Sequence, residues 1–229
     1  MASSTGSLGS GTLGRVTAMV YRVLVLEFLF VLTASPGLVL LLALSGDPSN
    51  APLLALCLLP VGPALSAVIF AWQRSPAEEH LEPARHFWRG YRLNAVAILR
   101  WWWAIIAAIA ILGVNIAYLD VVITPGLPLM LAGVAQAVVF TLIAVIACHA
   151  LVIGSLYNFR ARDVLRLALR CVRHCPKATV GVAAIVIASI GVAVVGTEIA
   201  VIALGSILAA LLLNNATSLT QDIEEKYIA

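Results

Sequence analysis

Long uninterrupted runs of apolar residues are the feature that most constrains this fold. About 20 residues at ~1.5 Å per residue cross the ~30 Å hydrocarbon layer of a bilayer, so runs of this length are typical of transmembrane helices. Of the 229 residues, 62% are hydrophobic and 11% are charged, which is more apolar than a soluble domain. The sequence predicts an all-α polytopic membrane protein with six transmembrane helices. The predicted spans are residues 23–44, 51–72, 101–119, 129–156, 178–195 and 199–213.

The segment before the first span has a different composition. Residues 1–14 are rich in Ser and Gly and contain no charged side chain, which is typical of a disordered tail. Residues 15–229 are predicted to form a single transmembrane domain. Within the spans, Pro36 and Pro60 are each expected to kink a helix, because proline lacks a backbone N–H.

The placement of Lys and Arg predicts the orientation. Connections 45–50, 120–128 and 196–198 contain neither residue, whereas all 14 Lys and Arg residues lie on the other side of the predicted membrane. Positively charged loops stay in the cytoplasm. Both termini are therefore predicted to be cytoplasmic, and the protein to be multi-pass in the cell inner membrane.

Two predicted cytoplasmic connections carry matching rows of arginine. The first row is Arg85, Arg89 and Arg92, and the second, 81 positions later, is Arg166, Arg170 and Arg173. Apolar residues occupy the opposite helix face in both segments. This pattern predicts two cytoplasmic amphipathic helices that lie in the headgroup layer, with the lipid bilayer as a partner.

The arginine rows have two further interpretations besides anchoring to anionic lipid. They can form a docking surface for a protein partner such as a membrane transport complex, or bind nucleic acid. The low charge density and the lack of a soluble domain argue against nucleic acid. The 81-residue offset also relates the second span to the fourth, which predicts a repeat of two spans followed by a surface helix.

Four polar residues inside the predicted spans define a candidate intramembrane site, because such residues are costly in a bilayer. They are Glu27, His149, Asn115 and Gln136. Glu27 can pair with His149 or with Arg22, reach the interface, or take part in a proton relay. Asn115 and Gln136 are expected to form hydrogen bonds between helices.

No catalytic or metal-binding motif is evident in the sequence. Cys171, His174 and Cys175 are residue types that bind zinc, but they lack a second well-spaced pair. A membrane enzyme that acts on lipid-linked sugar needs clustered carboxylates, and the spans contain Glu27 alone. The chain is therefore predicted to be non-enzymatic, without a cofactor or metal.

Several segments resemble a known bacterial membrane family. They are Ser35-Pro36, Gly62-Pro63, the aromatic basic segment 87–92 and the segment 163–177, which ends in His174-Cys175-Pro176-Lys177. With these features the chain resembles the YesL-like family of integral membrane proteins. The resemblance implies a link with carbohydrate uptake or degradation systems, and it implies no catalytic residue.

These observations predict a non-enzymatic membrane protein that is an accessory or partner of a transport system, with carbohydrate as a candidate cargo. The alternative is a small transporter or channel in its own right. That alternative predicts a continuous polar path that joins the four polar residues of the candidate intramembrane site.

Overall fold

The computed structural model describes residues 12–44, 47–74, 82–195 and 204–216. Within these ranges the chain forms helices joined by short turns, with no strand. The helices are α1 (Thr12–Ala43), α2 (Ala51–Cys57), α3 (Val61–Arg74), α4 (Pro83–Ala117), α5 (Leu119–Val122), α6 (Leu127–Leu156), α7 (Ala161–His174), α8 (Pro176–Val195) and α9 (Gly205–Asn215).

The long helices match the predicted spans. Four stretches are long and apolar enough to cross a membrane, and α8 provides a fifth when it is counted with α7. The four are Gly14–Ala43, Ala51–Arg74, Pro83–Ala117 and Leu127–Leu156. Helix α9 covers only part of the predicted sixth span, and residues 196–203 lie outside the described part, so the count of six stays a prediction.

Helix α1 begins earlier than the hydropathy indicated. It starts at Thr12, within the segment 1–14 that composition assigned to a disordered tail, and residues 1–11 lie outside the described ranges. Arg22, which the sequence assigned to the cytoplasmic segment before the first span, therefore lies inside α1. Its side chain is buried.

Proline acts differently in the first two spans. Helix α2 ends at Cys57 and α3 begins at Val61, so the chain is interrupted next to Pro60. The indole Nε1 of Trp102 donates a hydrogen bond to the Leu58 carbonyl oxygen at 2.9 Å, and the same oxygen accepts from the Val61 backbone N–H at 3.2 Å. In α1, by contrast, the helix continues through Pro36.

Ser35 compensates for the missing donor of Pro36. Its hydroxyl group donates to the Leu32 carbonyl oxygen at 2.8 Å, the acceptor that the backbone nitrogen of residue 36 would reach in a regular helix. Local hydroxyl donors of this kind allow proline in membrane helices. The expected kink at Pro36 is thus accommodated within a single helix.

The predicted surface helix of the second connection is not a separate element. Residues 83–117 form one helix of 35 residues, about 52 Å long at ~1.5 Å per residue. No proline or glycine breaks the helix between Arg92 and Trp101. The prediction of a free-standing amphipathic helix here is therefore wrong, because the arginine row lies on the first turns of α4.

The second predicted surface helix does form. Helix α7 ends at His174, α8 begins at Pro176, and the two axes differ by 103°. Proline is well suited to the first position of a helix and restricts the residue before it. The two halves of the predicted repeat therefore differ, because Cys175-Pro176 separates the basic helix from the span only in the second half.

Side-chain contacts show which helix ends meet. The Asn94 amide of α4 donates to the Ser155 carbonyl oxygen near the end of α6 at 3.0 Å. The Asn215 amide at the end of α9 donates to the Ala178 carbonyl oxygen near the start of α8 at 2.7 Å. We call this the basic end of the bundle, because Arg74, Arg160 and Lys177 flank the helix ends that meet there.

Large apolar side chains are exposed along the outer faces of the bundle. On α6 they include Leu131, Val134 and Val138, and on α1 they include Leu24 and Phe28. Soluble proteins rarely expose apolar surface of this extent. Together with the lengths of the apolar helices, this surface identifies a membrane-embedded protein that is covered by lipid.

Candidate functional site

Arg22 caps the end of α3 from within α1. Its guanidinium group donates hydrogen bonds to the carbonyl oxygens of Ala71 and Trp72 at 3.0 and 2.6 Å. The guanidinium carbon also lies 4.0 Å from the centroid of the Trp72 ring, a cation–π arrangement. Because the last carbonyl groups of a helix carry partial negative charge, this position favours a buried cation.

Glu27 caps the start of α9. Its Oε2 atom accepts a hydrogen bond from the Ser206 backbone N–H at 2.7 Å, and the Gly205 amide faces the same carboxylate. Gly205 lies tightly against the Phe30 ring, where an added Cβ would be 2.4 Å from a ring carbon. The positive end of the α9 dipole therefore meets a carboxylate one and a half turns beyond Arg22.

Trp72 connects the two charged positions. Its ring lies beneath the Arg22 guanidinium, and its Nε1 atom donates to the Ser206 carbonyl oxygen at 3.2 Å. We call Arg22, Glu27, Trp72, Gly205 and Ser206 the cap cluster. It joins α1, α3 and α9 through polar contacts inside the apolar bundle.

The cap cluster replaces the ion pairs predicted from the sequence. Among the described residues, Glu27 forms no ion pair with Arg22 or His149, because each charged group of the cluster is directed toward a helix end instead. Neither of the two pairs that the sequence left open is present among these residues. Hydropathy placed Glu27 in the first span and Arg22 before it, whereas both residues lie in α1 and both contact backbone groups at helix ends.

His149 belongs to a different junction. Its imidazole is buried, and Nε2 lies 3.4 Å from the Thr179 hydroxyl group of α8. The Thr179 hydroxyl also donates to the Cys171 carbonyl oxygen of α7 at 3.4 Å. His149 thus joins α6 to the bend between α7 and α8, away from the contacts of Glu27.

The remaining two polar candidates do not bridge helices. Asn115 is exposed on α4 and Gln136 is partly exposed on α6, and neither side chain forms a hydrogen bond to another described residue. The predicted interhelical hydrogen bonds are thus not found within the described ranges of the chain. The four candidates do not form the continuous polar path that the transporter or channel alternative requires.

Both arginine rows are exposed at the basic end. Arg85, Arg89 and Arg92 project from α4, and Arg85 forms an ion pair of 2.9 Å with Glu82. On the other side of this helix, Gly90 lies tightly against Phe70 of α3. The apolar face packs into the bundle, so the arginines face outward.

Helix α7 has the same division. Arg166, Arg170 and Arg173 are exposed, whereas Val164 and Ala168 are buried. An open groove of about 350 Å³ lies beside this row. It is lined by Phe159, Asp163, Arg166, Leu167 and Arg170.

Sequence reasoning missed Trp72 and Ser206 as members of the polar cluster. The pair Gly205-Ser206 in the middle of the predicted sixth span was an available signal. Glycine and serine are unfavourable inside a helix, so the pair indicates a helix end there. The contact between Glu27 and Ser206 could not be predicted from local sequence patterns, because the two residues are 179 positions apart.

Among the described residues, no group of three or more His, Cys, Asp or Glu side chains is placed to hold a metal ion. The fold and the lipid-facing surface define a multi-pass helical membrane protein. Comparisons with protein-family models, curated proteins and solved structures found no match. The resemblance to the YesL-like family therefore stays a prediction.

Proposed function

We propose that this chain is a non-enzymatic protein of the cell inner membrane that acts as an accessory subunit of a transport system. The basic end faces the cytoplasm in this proposal, and the two arginine rows bind an acidic surface of the transport partner. Carbohydrate is the cargo class that the family resemblance implies. The observation that carries the proposal is that both rows are exposed while their opposite faces pack into the bundle.

The spacing of each row suits an acidic partner. Arginines at positions i, i+4 and i+7 lie along one helix face over about 10 Å, at ~1.5 Å per residue. Guanidinium groups bind carboxylates in a bidentate geometry. Charge complementarity therefore favours a partner segment with several carboxylates, and the groove beside α7 offers apolar side chains next to the charges.

Reversal of the first row tests the docking role. We expect the triple variant Arg85→Glu, Arg89→Glu and Arg92→Glu to lose co-purifying transport subunits in mild detergent, because like charges repel across an interface. The measurement is the amount of partner recovered with the tagged chain. A loss of tenfold or more is expected.

The matched control replaces the same three arginines by lysine, which keeps the charge and changes the shape. Partial retention of the partner by the lysine variant supports charge-based docking. Unchanged recovery with the glutamate variant rules the docking role out. Binding of the wild-type chain to anionic vesicles, with no partner recovered from cells, assigns the rows to lipid instead.

The orientation has a separate test. We expect a reporter inserted after Gly126 to lie outside the cytoplasm and a reporter inserted after Tyr157 to lie inside, because helix α6 connects these positions across the membrane. Enzymatic reporters that are active on only one side provide the measurement. A cytoplasmic reporter at Gly126 contradicts the orientation, and the same assay checks that the glutamate variant inserts correctly.

A further inference from the structure

The groove beside α7 combines positive charge with apolar surface. Arg166 and Arg170, which are both exposed, line it together with the half-buried side chains of Phe159 and Leu167. It is also lined by Asp163, the one acidic residue of α7, whereas this helix carries four arginines. The field of the helix is therefore positive. A ligand that fits this groove combines carboxylates with an apolar side chain.

The segment that follows α9 has this composition. Residues 217–229 contain three carboxylates within four positions, and an isoleucine lies among them. The carboxylates belong to Asp222, Glu224 and Glu225, and the isoleucine is Ile223. Lys226 is the one basic residue of the segment, so its side chains carry a net negative charge. Charge complementarity therefore favours α7 as a binding surface for this segment.

The segment leaves the bundle next to α7. Asn215, the last residue of α9, donates a hydrogen bond from its side-chain amide to the Ala178 carbonyl oxygen at 2.7 Å. The next residue, Thr179, donates from its hydroxyl group to the Cys171 carbonyl oxygen of α7 at 3.4 Å. Cys171 directly follows Arg170. Two hydrogen bonds therefore link the end of α9 to the turn of α7 that carries Arg170.

The chain is long enough to reach the groove from this point. Asp222 is six positions after Ala216, which is buried directly after α9, and six residues span up to about 20 Å when extended. Arg166 and Arg170 are about 6 Å apart along the helix axis, and a helix with its side chains is ~10–12 Å across. The segment can therefore reach the groove on either side of α7.

We propose that residues 217–229 bind in the groove beside α7 of the same chain. The three carboxylates contact the arginine row of α7, and Ile223 packs against Leu167 and Phe159. The contact is non-covalent and needs no second chain. Because the row then holds an acidic ligand, a transport partner has to displace the segment before it binds there. That last step rests on the proposed docking function, whereas the intramolecular contact does not.

The connection to α9 compensates for the weakness of exposed ion pairs. Individual pairs on a protein surface contribute little, because water and salt screen them. A short connection holds the two surfaces at an effective concentration on the order of 1 mM. Contacts with a dissociation constant of only ~0.2 mM between separate molecules therefore keep the segment bound about four-fifths of the time.

The arginine row of α4 provides a matched comparison. It has the same charge and the same spacing as the row of α7, but Arg85 already forms an ion pair of 2.9 Å with Glu82. The side chain at the end of α9 also bonds to α8, which follows α7 directly, and not to α4. The segment should therefore recognise the row of α7 and not the row of α4.

Limited proteolysis probes this contact directly, because Lys177 and Lys226 are the only lysines of the chain. A lysine-specific protease that cuts after Lys226 releases residues 227–229, which mass spectrometry detects separately from any cut at Lys177. We expect this release from the full-length protein, in nonionic detergent at low salt, to be at least about fivefold slower than from an isolated peptide of residues 217–229. Proteolysis follows the unbound fraction when opening is fast. Salt at ~1 M should abolish the difference, because it screens the ion pairs.

Charge reversal identifies the binding surface. We expect the triple variant Arg166→Glu, Arg170→Glu and Arg173→Glu to release residues 227–229 as fast as the isolated peptide does. The glutamate variant of the α4 row should release them as slowly as the wild type. This difference supports the contact with α7, and equal rates for the two variants overturn it.

A second reversal tests whether the two surfaces act on each other. The segment variant Asp222→Arg, Glu224→Arg and Glu225→Arg should lose the protection on its own. We expect the protection to return when this variant is combined with the reversed α7 row, relative to a peptide with the same three arginines. Protection that does not return in a combined variant that folds overturns the direct contact.

The wild type alone decides the question if a variant does not fold. Equal rates for the wild-type chain and the isolated peptide overturn the proposal. Protection that increases with protein concentration also overturns it, because the segment then binds a second copy. None of these measurements involves a transport partner, so the intramolecular contact and the docking function can fail separately.

Discussion

Replacement of Gly37 by alanine is expected to destabilise the protein severely, by about 3 kcal/mol or more. An added Cβ at this position would lie 2.0 Å from the Cys57 carbonyl oxygen and 2.8 Å from Cγ of Pro60. Overpacking in a well-packed interior costs ~1–3 kcal/mol and occasionally more. We expect a cost at the upper end of this range because the closest atom is a backbone oxygen at the break between α2 and α3. A change of side-chain rotamer cannot move that atom.

Thermal unfolding in detergent, followed by the loss of monodisperse protein, measures this effect. Gly133→Ala is the matched control, because Gly133 also lies in a long membrane helix and an added Cβ there has no other atom within 4 Å. We expect the control to be neutral or stabilising by up to about 1 kcal/mol, since alanine favours helix. Equal stabilities for the two variants would contradict the close packing of α1 against the break.

The same region shows how far the sequence determines the fold. Apolar run length predicted the helices that cross the membrane, and Pro60 predicted the interruption, because both effects act within a few residues. The role of Gly37 was not predictable. It depends on which backbone from another helix lies opposite, and hydropathy contains no information about that partner.

The basic segments illustrate a second limit. Helical periodicity correctly predicted which faces of α4 and α7 carry exposed arginines, because amphipathicity is a local pattern. It did not distinguish a separate surface helix from an extension of a span. That distinction depends on a helix breaker, which is present at Pro176 and absent between Arg92 and Trp101.

The candidate intramembrane site was predicted least well. Glu27 was selected as a costly polar group inside a span and is partly buried, but its partner is a backbone amide of α9 rather than a charged side chain. A search of the sequence for complementary side chains does not detect backbone N–H donors at the start of a helix. Arg22 was assigned to the cytoplasmic segment before the first span because it is a positive charge at the end of an apolar run. The sequence contains no sign of its partners, which are the carbonyl oxygens at the end of α3.

Replacement of Arg22 by methionine should therefore destabilise the bundle strongly, by about 3 kcal/mol. The variant keeps an unbranched side chain of similar length but loses two hydrogen bonds from a charged donor, each of which contributes ~1.5–3 kcal/mol. It also loses the contact with the Trp72 ring. The removal of a buried charge offsets part of this loss, so the sum is smaller than the separate contributions.

The shift in unfolding temperature relative to Arg15→Met measures the cost. Arg15 is exposed on the same helix, so its variant removes the same charge from the same predicted side of the membrane and should change stability by about 0.5 kcal/mol or less. Arg22→Lys should fall between the wild type and Arg22→Met, because an ammonium group keeps the charge and loses the planar fork. If Arg22→Met unfolds at the same temperature as Arg15→Met, the guanidinium group does not cap α3. Arg22 would then contribute only through its positive charge, and the link between α1 and α3 would depend on apolar packing alone.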